Sequence, residues 1–185
     1  MRQIRSILLA LALLGSASSH AQVYLGATGG IGGLGISAGV MPFSGIHSVV
    51  RLFGGWQFNQ TLGTEVTLLF FERTSESGST HSSSQEASGV GISAVAGTRI
   101  GRWRWSAKLG LTQMDAEVQQ SGTFVQSFDS RASGTAPLVG VSVAREFENN
   151  LSLVFEFHQT RLKFDAPLNV TTKPRQFGIG VLARF

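Results

Sequence analysis

Hydrophobic and polar residues alternate along most of this chain with a period of two, in segments of roughly ten residues. Successive side chains of a β-strand point to opposite faces, so the alternation predicts strands with one apolar and one polar face. Val50, Leu52 and Trp56 share one predicted face, for example, whereas Arg51 and Gln57 lie on the other. With a first strand at about residues 22–32, the pattern predicts eight strands and an all-β fold.

Short turns and long loops alternate between the predicted strands. The turns lie at residues 59–61, 101–102 and 148–150, and the loops at about residues 33–48, 73–88, 114–134 and 162–173. Residues 73–88 contain no large apolar side chain, so we expect a solvated loop there. Short turns at one end and long loops at the other are typical of outer-membrane barrels, and an even strand number leaves no edge bare in lipid. The sequence therefore predicts an eight-stranded antiparallel transmembrane β-barrel.

The N-terminal segment does not follow this alternation. Arg2 and Arg5 precede an apolar run at residues 7–14, which is too short to span a bilayer, and Ala21 closes an A-x-A-like cleavage site. This arrangement predicts a secretory signal peptide at residues 1–21 and a barrel at residues 22–185. The alternative is a buried N-terminal helix.

The amino-acid composition excludes some kinds of site. There is no cysteine, which excludes disulfides and thiolate metal sites, and we expect neither a metal nor another cofactor. The formal net charge is +4, and removal of the two arginines in residues 1–21 would leave +2. No basic run occurs anywhere in the chain, so nucleic-acid binding is not implied.

The polar faces of the predicted strands carry charged residues that would point into the lumen. An eight-stranded barrel has an interior that side chains can just fill, and buried charges must be paired. We therefore expect the two glutamates to contact some of the basic residues and to plug the lumen, with a gated or narrow channel as the alternative. The predicted cluster contains Glu65, Arg51, Arg99, Arg104, Lys108 and Glu156.

Aromatic residues concentrate beside the predicted short turns. In outer-membrane barrels, such rings form a girdle at the membrane interface. The alternative is an ordinary aromatic core. The predicted girdle contains Trp56, Phe58, Trp103, Trp105, Phe147 and Phe185.

Several segments resemble a known family. Residues 54–66 resemble the second hairpin turn of OmpA-like transmembrane domains, and residues 140–158 resemble the sixth and seventh strands of that family. The C-terminal strand resembles the signal read by the barrel-assembly machinery, with apolar residues at alternate positions: Phe177, Ile179, Val181, Ala183 and Phe185. The chain is also similar to the smaller OmpX/Ail-like barrels.

The resemblance implies a location in the outer membrane of a Gram-negative type bacterium, in contact with lipid and lipopolysaccharide. It implies a structural or adhesive role, with a host or surface ligand bound by the extracellular loops. It also implies that Glu65 corresponds to the lumenal glutamate of OmpA-like domains, whereas Val154 stands near the position of their lumenal arginine. Another basic residue would then have to replace that arginine.

An enzymatic alternative comes from small barrels that modify lipid A. Some of these deacylases use a His-x-Ser pair, which His158 and Thr160 partly resemble. Thr160 stands where serine is expected, however, and the alternation points His158 into the lumen, away from lipid. We therefore expect a non-enzymatic barrel, with no catalytic residue.

Overall fold

The computed structural model describes residues 22–33, 36–38, 41–43, 46–77, 81–122, 128–163 and 171–185, so the predicted signal peptide at residues 1–21 lies outside the described residues. Twelve strands occur in this part of the chain. They are β1 (Gln22–Gly33), β2 (Ile36–Ala38), β3 (Met41–Phe43), β4 (Ile46–Gln57), β5 (Leu62–Ser77), β6 (His81–Ile100), β7 (Trp103–Gly122), β8 (Phe128–Glu146), β9 (Leu151–Thr160), β10 (Leu162–Lys163), β11 (Thr171–Thr172) and β12 (Arg175–Arg184).

Eight of these strands form one closed antiparallel barrel in the order β1-β12-β9-β8-β7-β6-β5-β4, and β4 pairs with β1 to close it. The predicted fold class and strand number are therefore confirmed. Two small two-stranded sheets, β2–β3 and β10–β11, accompany the barrel. In the described residues, no helix is both long and apolar enough to cross a membrane.

Side chains alternate between the outer surface and the lumen, as the period of two predicts. Leu109 on the outer face is 67 % exposed, whereas Glu65 on the inner face is 2 % exposed. This distribution is the reverse of that in a water-soluble domain, in which large apolar groups are buried. A continuous apolar outer surface around a polar interior is the distribution that a lipid environment favours.

Three tight connections define what we call the short-turn end of the barrel. The backbone N–H groups of Thr61 and Leu62 donate to Asn59 Oδ1 at 2.8 Å, and Gly101 adopts a positive φ of 63°. A single 3-10 turn at Glu148–Asn150 makes the third connection, and Asn149 has a φ of 73°. Glycine and asparagine tolerate this left-handed conformation better than other residues.

At the opposite end, two predicted loops are wrong. Residues 73–88 and 114–134 lie mostly within strands, because the β5–β6 pairing continues to Ser77 and Ser82, and the β7–β8 pairing continues to Gln120 and Phe128. Backbone hydrogen bonds between paired strands do not require apolar side chains, so a serine-rich segment can extend a sheet into water. We call this the long-hairpin end; here β5 to β8 are 16 to 20 residues long, whereas the other four barrel strands have 10 to 12.

Candidate functional site

Four charged side chains from four strands meet in the middle of the lumen. Arg51 on β4 binds Glu65 on β5 through one guanidinium nitrogen and Glu156 on β9 through another. The Nζ of Lys108 on β7 lies 2.8 Å and 2.9 Å from the two carboxylate oxygens of Glu65, and 3.7 Å from Oε2 of Glu156. All four are almost fully buried. This central charge cluster contains two positive and two negative groups and is formally neutral.

Neutral side chains complete the hydrogen bonding of this cluster. The Thr28 hydroxyl donates to Glu156 Oε1 at 2.5 Å, and the Tyr24 hydroxyl donates to Glu65 Oε2 at 3.1 Å. Arg51 also donates to the Thr67 hydroxyl at 3.0 Å. Buried charges are tolerated when their remaining donors and acceptors are satisfied in this way.

Apolar layers lie on both sides of the central charge cluster. Towards the short-turn end, Phe53 lies under the cations, with Arg51 Cζ 4.4 Å and Lys108 Nζ 5.0 Å from its ring centroid. This lower layer consists of Tyr24, Phe53, Ala144, Val154 and Leu182. The upper layer, towards the long-hairpin end, consists of Val49, Leu69, Phe71, Ala87, Met114, Ala116 and Ala136.

Arg99 and Arg104, predicted in the same cluster, do not contact Glu65 or Glu156 in any described ion pair. Both bind Glu146 at the short-turn end, with Arg99 Nη2 2.7 Å and Arg104 Nε 3.5 Å from its carboxylate oxygens. The reason is position along the barrel: Arg104 precedes Lys108 by four residues on β7, Arg99 on β6 pairs with Arg104, and each residue of a strand advances by about 3.3 Å. The prediction of one lumenal charge cluster is therefore wrong, because the six predicted residues are divided between two clusters.

The sequence analysis missed two members of this second cluster. Glu146 lies at the end of β8 and Arg184 at the end of β12, and Arg184 Nη1 is 2.9 Å from Glu146 Oε1. The alternation could have found both, because Ala144 and Leu182, two residues earlier in each strand, point inwards. We call Arg99, Arg104, Glu146 and Arg184 the mouth cluster.

His158 and Thr160 lie inside the lumen rather than beside lipid. His158 is 2 % exposed, and its Nε2 is 3.1 Å from Glu156 Oε2, without the alignment of a hydrogen bond. The Thr160 hydroxyl is buried and has no hydrogen-bond partner among the described residues. No group of three histidine, aspartate or glutamate side chains in the described ranges could hold a metal ion.

The six aromatic residues of the predicted girdle lie close to the three short turns. Trp56 is partly exposed, and its ring centroid is 5.8 Å from that of Phe58, while Phe58 and the other four residues are exposed. Arg145 lies between two of them, 5.7 Å from the Trp103 ring and 5.8 Å from the Phe147 ring. On β12, Phe177, Ile179 and Val181 also point outwards, together with the terminal Phe185.

The chain has an apolar outer surface and charged side chains in its lumen. A comparison with known protein families agrees with this architecture. A family model described as "Outer membrane protein beta-barrel domain" matches residues 7–185. This chain belongs to the outer-membrane β-barrel family. As a member of that family, the protein is assigned to the outer membrane.

Solved structures of other outer-membrane barrels share this fold. Neisserial surface protein A has a TM-score of 0.65 and 16% identity, covering 92% of this chain and 100% of its own. Ail of Yersinia pestis, in complex with the heparin analogue sucrose octasulfate, has a TM-score of 0.62 and 15% identity, covering 90% and 100%. OprG of Pseudomonas aeruginosa has a TM-score of 0.54 and 10% identity, covering 92% and 98%. The barrel matches no curated protein in sequence.

Proposed function

We propose that this outer-membrane barrel is a non-enzymatic structural and surface-interaction protein with a plugged lumen, and that its long hairpins contact a partner outside the cell. The observation that carries the proposal is the uneven length of the strands. Buried side chains occupy much of the lumen, and β5 to β8 continue as a sheet beyond the other four strands. The part of the molecule free to bind something large is therefore the long-hairpin end.

Three layers of packing support a closed lumen. The central charge cluster crosses the barrel, and the upper layer above it includes Leu69, Met114 and Ala136, each at most 1 % exposed. A cavity of about 40 Å³ beside the lower layer has room for only about three water molecules. An ion would have to displace both an apolar layer and a paired charge network to pass.

The charge of the two long hairpins indicates which kind of partner they would bind. The two hairpin segments, residues 72–88 and 112–136, carry six acidic and two basic residues, a formal excess of four negative charges. Complementary charge speeds association and suppresses wrong partners. A cationic protein surface fits these two hairpins better than a sulfated ligand such as the sucrose octasulfate bound by Ail. The neighbouring residues 161–175 carry four basic residues and one acidic residue, so the negative charge is confined to the two hairpins.

The experiment separates the two parts of the proposal. The folded barrel, purified in a non-ionic detergent, is reconstituted in planar bilayers and also passed over poly-lysine and heparin supports. We expect no steady conductance, retention on poly-lysine and no retention on heparin. Steady channel conductance would refute the plug, and retention on heparin alone would refute the cationic partner.

A matched pair of variants locates the contact. Glu86→Gln removes one charge from the β5–β6 hairpin, while Glu148→Gln removes one at the short-turn end. Retention on poly-lysine falls for the hairpin variant only. Equal losses in both variants would mean that net charge, and not the hairpins, causes retention.

Lipid A modification is the alternative function, and the position of His158 counts against it. A lipid substrate would approach from the outer surface, whereas His158 is enclosed in the lumen. Mass spectrometry of lipid A from cells with and without the protein tests this alternative. We expect identical spectra; a new lipid A species that His158→Ala abolishes would establish the enzyme.

The proposal also includes a route to the membrane. We propose that residues 1–21 direct export and are removed, that the β12 pattern ending in Phe185 is recognised by the barrel-assembly machinery, and that the aromatic side chains at the short-turn end form a girdle. Lipopolysaccharide and phospholipid then surround the apolar outer surface. Heat-modifiable migration on a denaturing gel tests for the folded barrel, and N-terminal sequencing tests the cleavage site.

A further inference from the structure

The short-turn end holds a cavity of about 330 Å³ with an unbalanced charge. Its wall contains four arginines and two glutamates, a formal excess of two positive charges, whereas the central charge cluster is neutral. The charged wall residues are Arg99, Arg102, Arg104, Glu146, Glu148 and Arg184.

A single carboxylate cannot satisfy the three arginines of the mouth cluster. Each guanidinium has five N–H donors, and a carboxylate accepts about four hydrogen bonds. The described residues supply few other acceptors: Arg184 donates to the Ser152 hydroxyl at 3.0 Å, Arg104 donates to a backbone carbonyl at 3.3 Å, and Arg99 donates to the Gly101 carbonyl at 3.2 Å. The Nε atoms of Arg104 and Arg184 are buried without a hydrogen-bond acceptor in this part of the chain. Such unsatisfied donors are costly, so the described acceptors leave the mouth cluster incompletely hydrogen-bonded beside the cavity.

We propose that this cavity binds a phosphate group, as a monoester or a diester. Guanidinium groups bind phosphate through paired, charge-assisted hydrogen bonds, and the excess of two positive charges favours an anion, whether a diester with one negative charge or a monoester with up to two. Several phosphate oxygens can accept from arginines on different strands at once, which Glu146 alone cannot do.

The surroundings of the cavity allow two sources of the phosphate. Phe147 and Leu151 line the cavity and are also exposed on the outer surface, so the headgroup of a phospholipid lying against the barrel can reach the arginines. The mouth also faces water, from which free phosphate or a soluble phosphate ester can enter. Both sources present the same chemical group to the same side chains.

The test uses the folded barrel in a non-ionic detergent micelle. Isothermal titration with inorganic phosphate and glycerol 3-phosphate measures the soluble source. Native mass spectrometry with dimyristoylphosphatidylglycerol, compared with dimyristoylglycerol, measures binding from the lipid source.

The variants Arg99→Gln and Arg102→Gln change exposed side chains, so the barrel should fold. Arg175→Gln, an exposed arginine at the other end of the barrel, is the control for net charge.

We expect Arg99→Gln and Arg102→Gln each to weaken binding about threefold and the double variant about tenfold, while Arg175→Gln has no effect. Glu146→Gln removes the competing carboxylate and should tighten binding, an effect that a purely structural ion pair would not produce. Binding of phosphatidylglycerol alone would identify a lipid source, and binding of phosphate alone a soluble one. Equal binding by the wild type and the Arg99→Gln/Arg102→Gln variant would overturn the proposal. The proposal would also be overturned if the barrel bound neither soluble phosphate compound and bound phosphatidylglycerol no more tightly than dimyristoylglycerol.

Discussion

The ammonium group of Lys108 lies within 2.9 Å of both carboxylate oxygens of Glu65, and both side chains are buried in the lumen. Arg51 contacts the same carboxylate from β4. These contacts tie β4, β5 and β7 together through the interior, in addition to the backbone hydrogen bonds of the barrel wall. Removal of one partner alone would therefore leave a buried charge uncompensated.

Lys108→Met removes one cation from the central charge cluster and leaves the negative charge in excess. Breaking a buried ion pair by removing one partner costs about 3–5 kcal/mol, because the remaining charge stays buried. We expect a lower urea midpoint for unfolding of the barrel in lipid vesicles. The loss of heat-modifiable migration on a denaturing gel measures this unfolding. The double variant Lys108→Met/Glu65→Gln leaves Arg51 and Glu156 balanced and should recover much of the loss. An unchanged midpoint for Lys108→Met would contradict this role.

Two neighbouring glycines on β1 should respond differently to the same substitution. A Cβ added at Gly30 would collide with the backbone carbonyl oxygen of Phe177 on β12, whereas a Cβ at Gly29 meets nothing within 4 Å. Overpacking typically costs about 1–3 kcal/mol. Gly30→Ala should therefore lower the free energy of unfolding by about that amount, and Gly29→Ala should leave it nearly unchanged. Equal effects in the urea titration would mean that β1 and β12 do not approach as described.

Arginine on the outer surface tests the depth of the barrel in the membrane. Leu109 follows Trp103 by six residues, which places it about 15 Å above the short-turn interface for a strand tilted by about 40°. Leu109→Arg should cost about 2–4 kcal/mol, and Ile100→Arg, beside a short turn, about 0–1 kcal/mol. Measurement of the free energy of unfolding of both variants in lipid vesicles checks this prediction. Similar small costs at both sites would mean that Leu109 is not in hydrocarbon.

Phe185→Ser tests the proposed assembly signal. Phe185 and Phe58 are both exposed aromatic residues at the short-turn end, but only Phe185 directly follows β12, the strand that pairs with β1. We expect Phe185→Ser to reduce the folded, heat-modifiable fraction in the outer membrane several-fold, and Phe58→Ser to have little effect. If purified Phe185→Ser refolds as well as the wild type, the defect lies in recognition during assembly. Equal folded fractions in cells would reject the signal.

The sequence predicted the barrel because a period of two records which side of a strand each residue occupies. Arg51 and Leu52 could be assigned to opposite faces without coordinates, and the three short turns set the strand count. The extent of β5 to β8 could not be predicted in the same way. Serine-rich residues such as those at 73–88 have no apolar face to reveal a strand, and backbone pairing with the next strand determines whether they extend one.

What the sequence determined by itself is therefore local: which residues form strands, which of their side chains point inwards, and where the tight turns lie. What only the tertiary structure decided is which inward residues meet. Glu65 and Glu156 are 91 positions apart and share Arg51, whereas Arg104 and Lys108, four positions apart on one strand, bind different carboxylates. The register between strands sets the height of each side chain in the lumen, and that register is fixed by closure of the whole barrel.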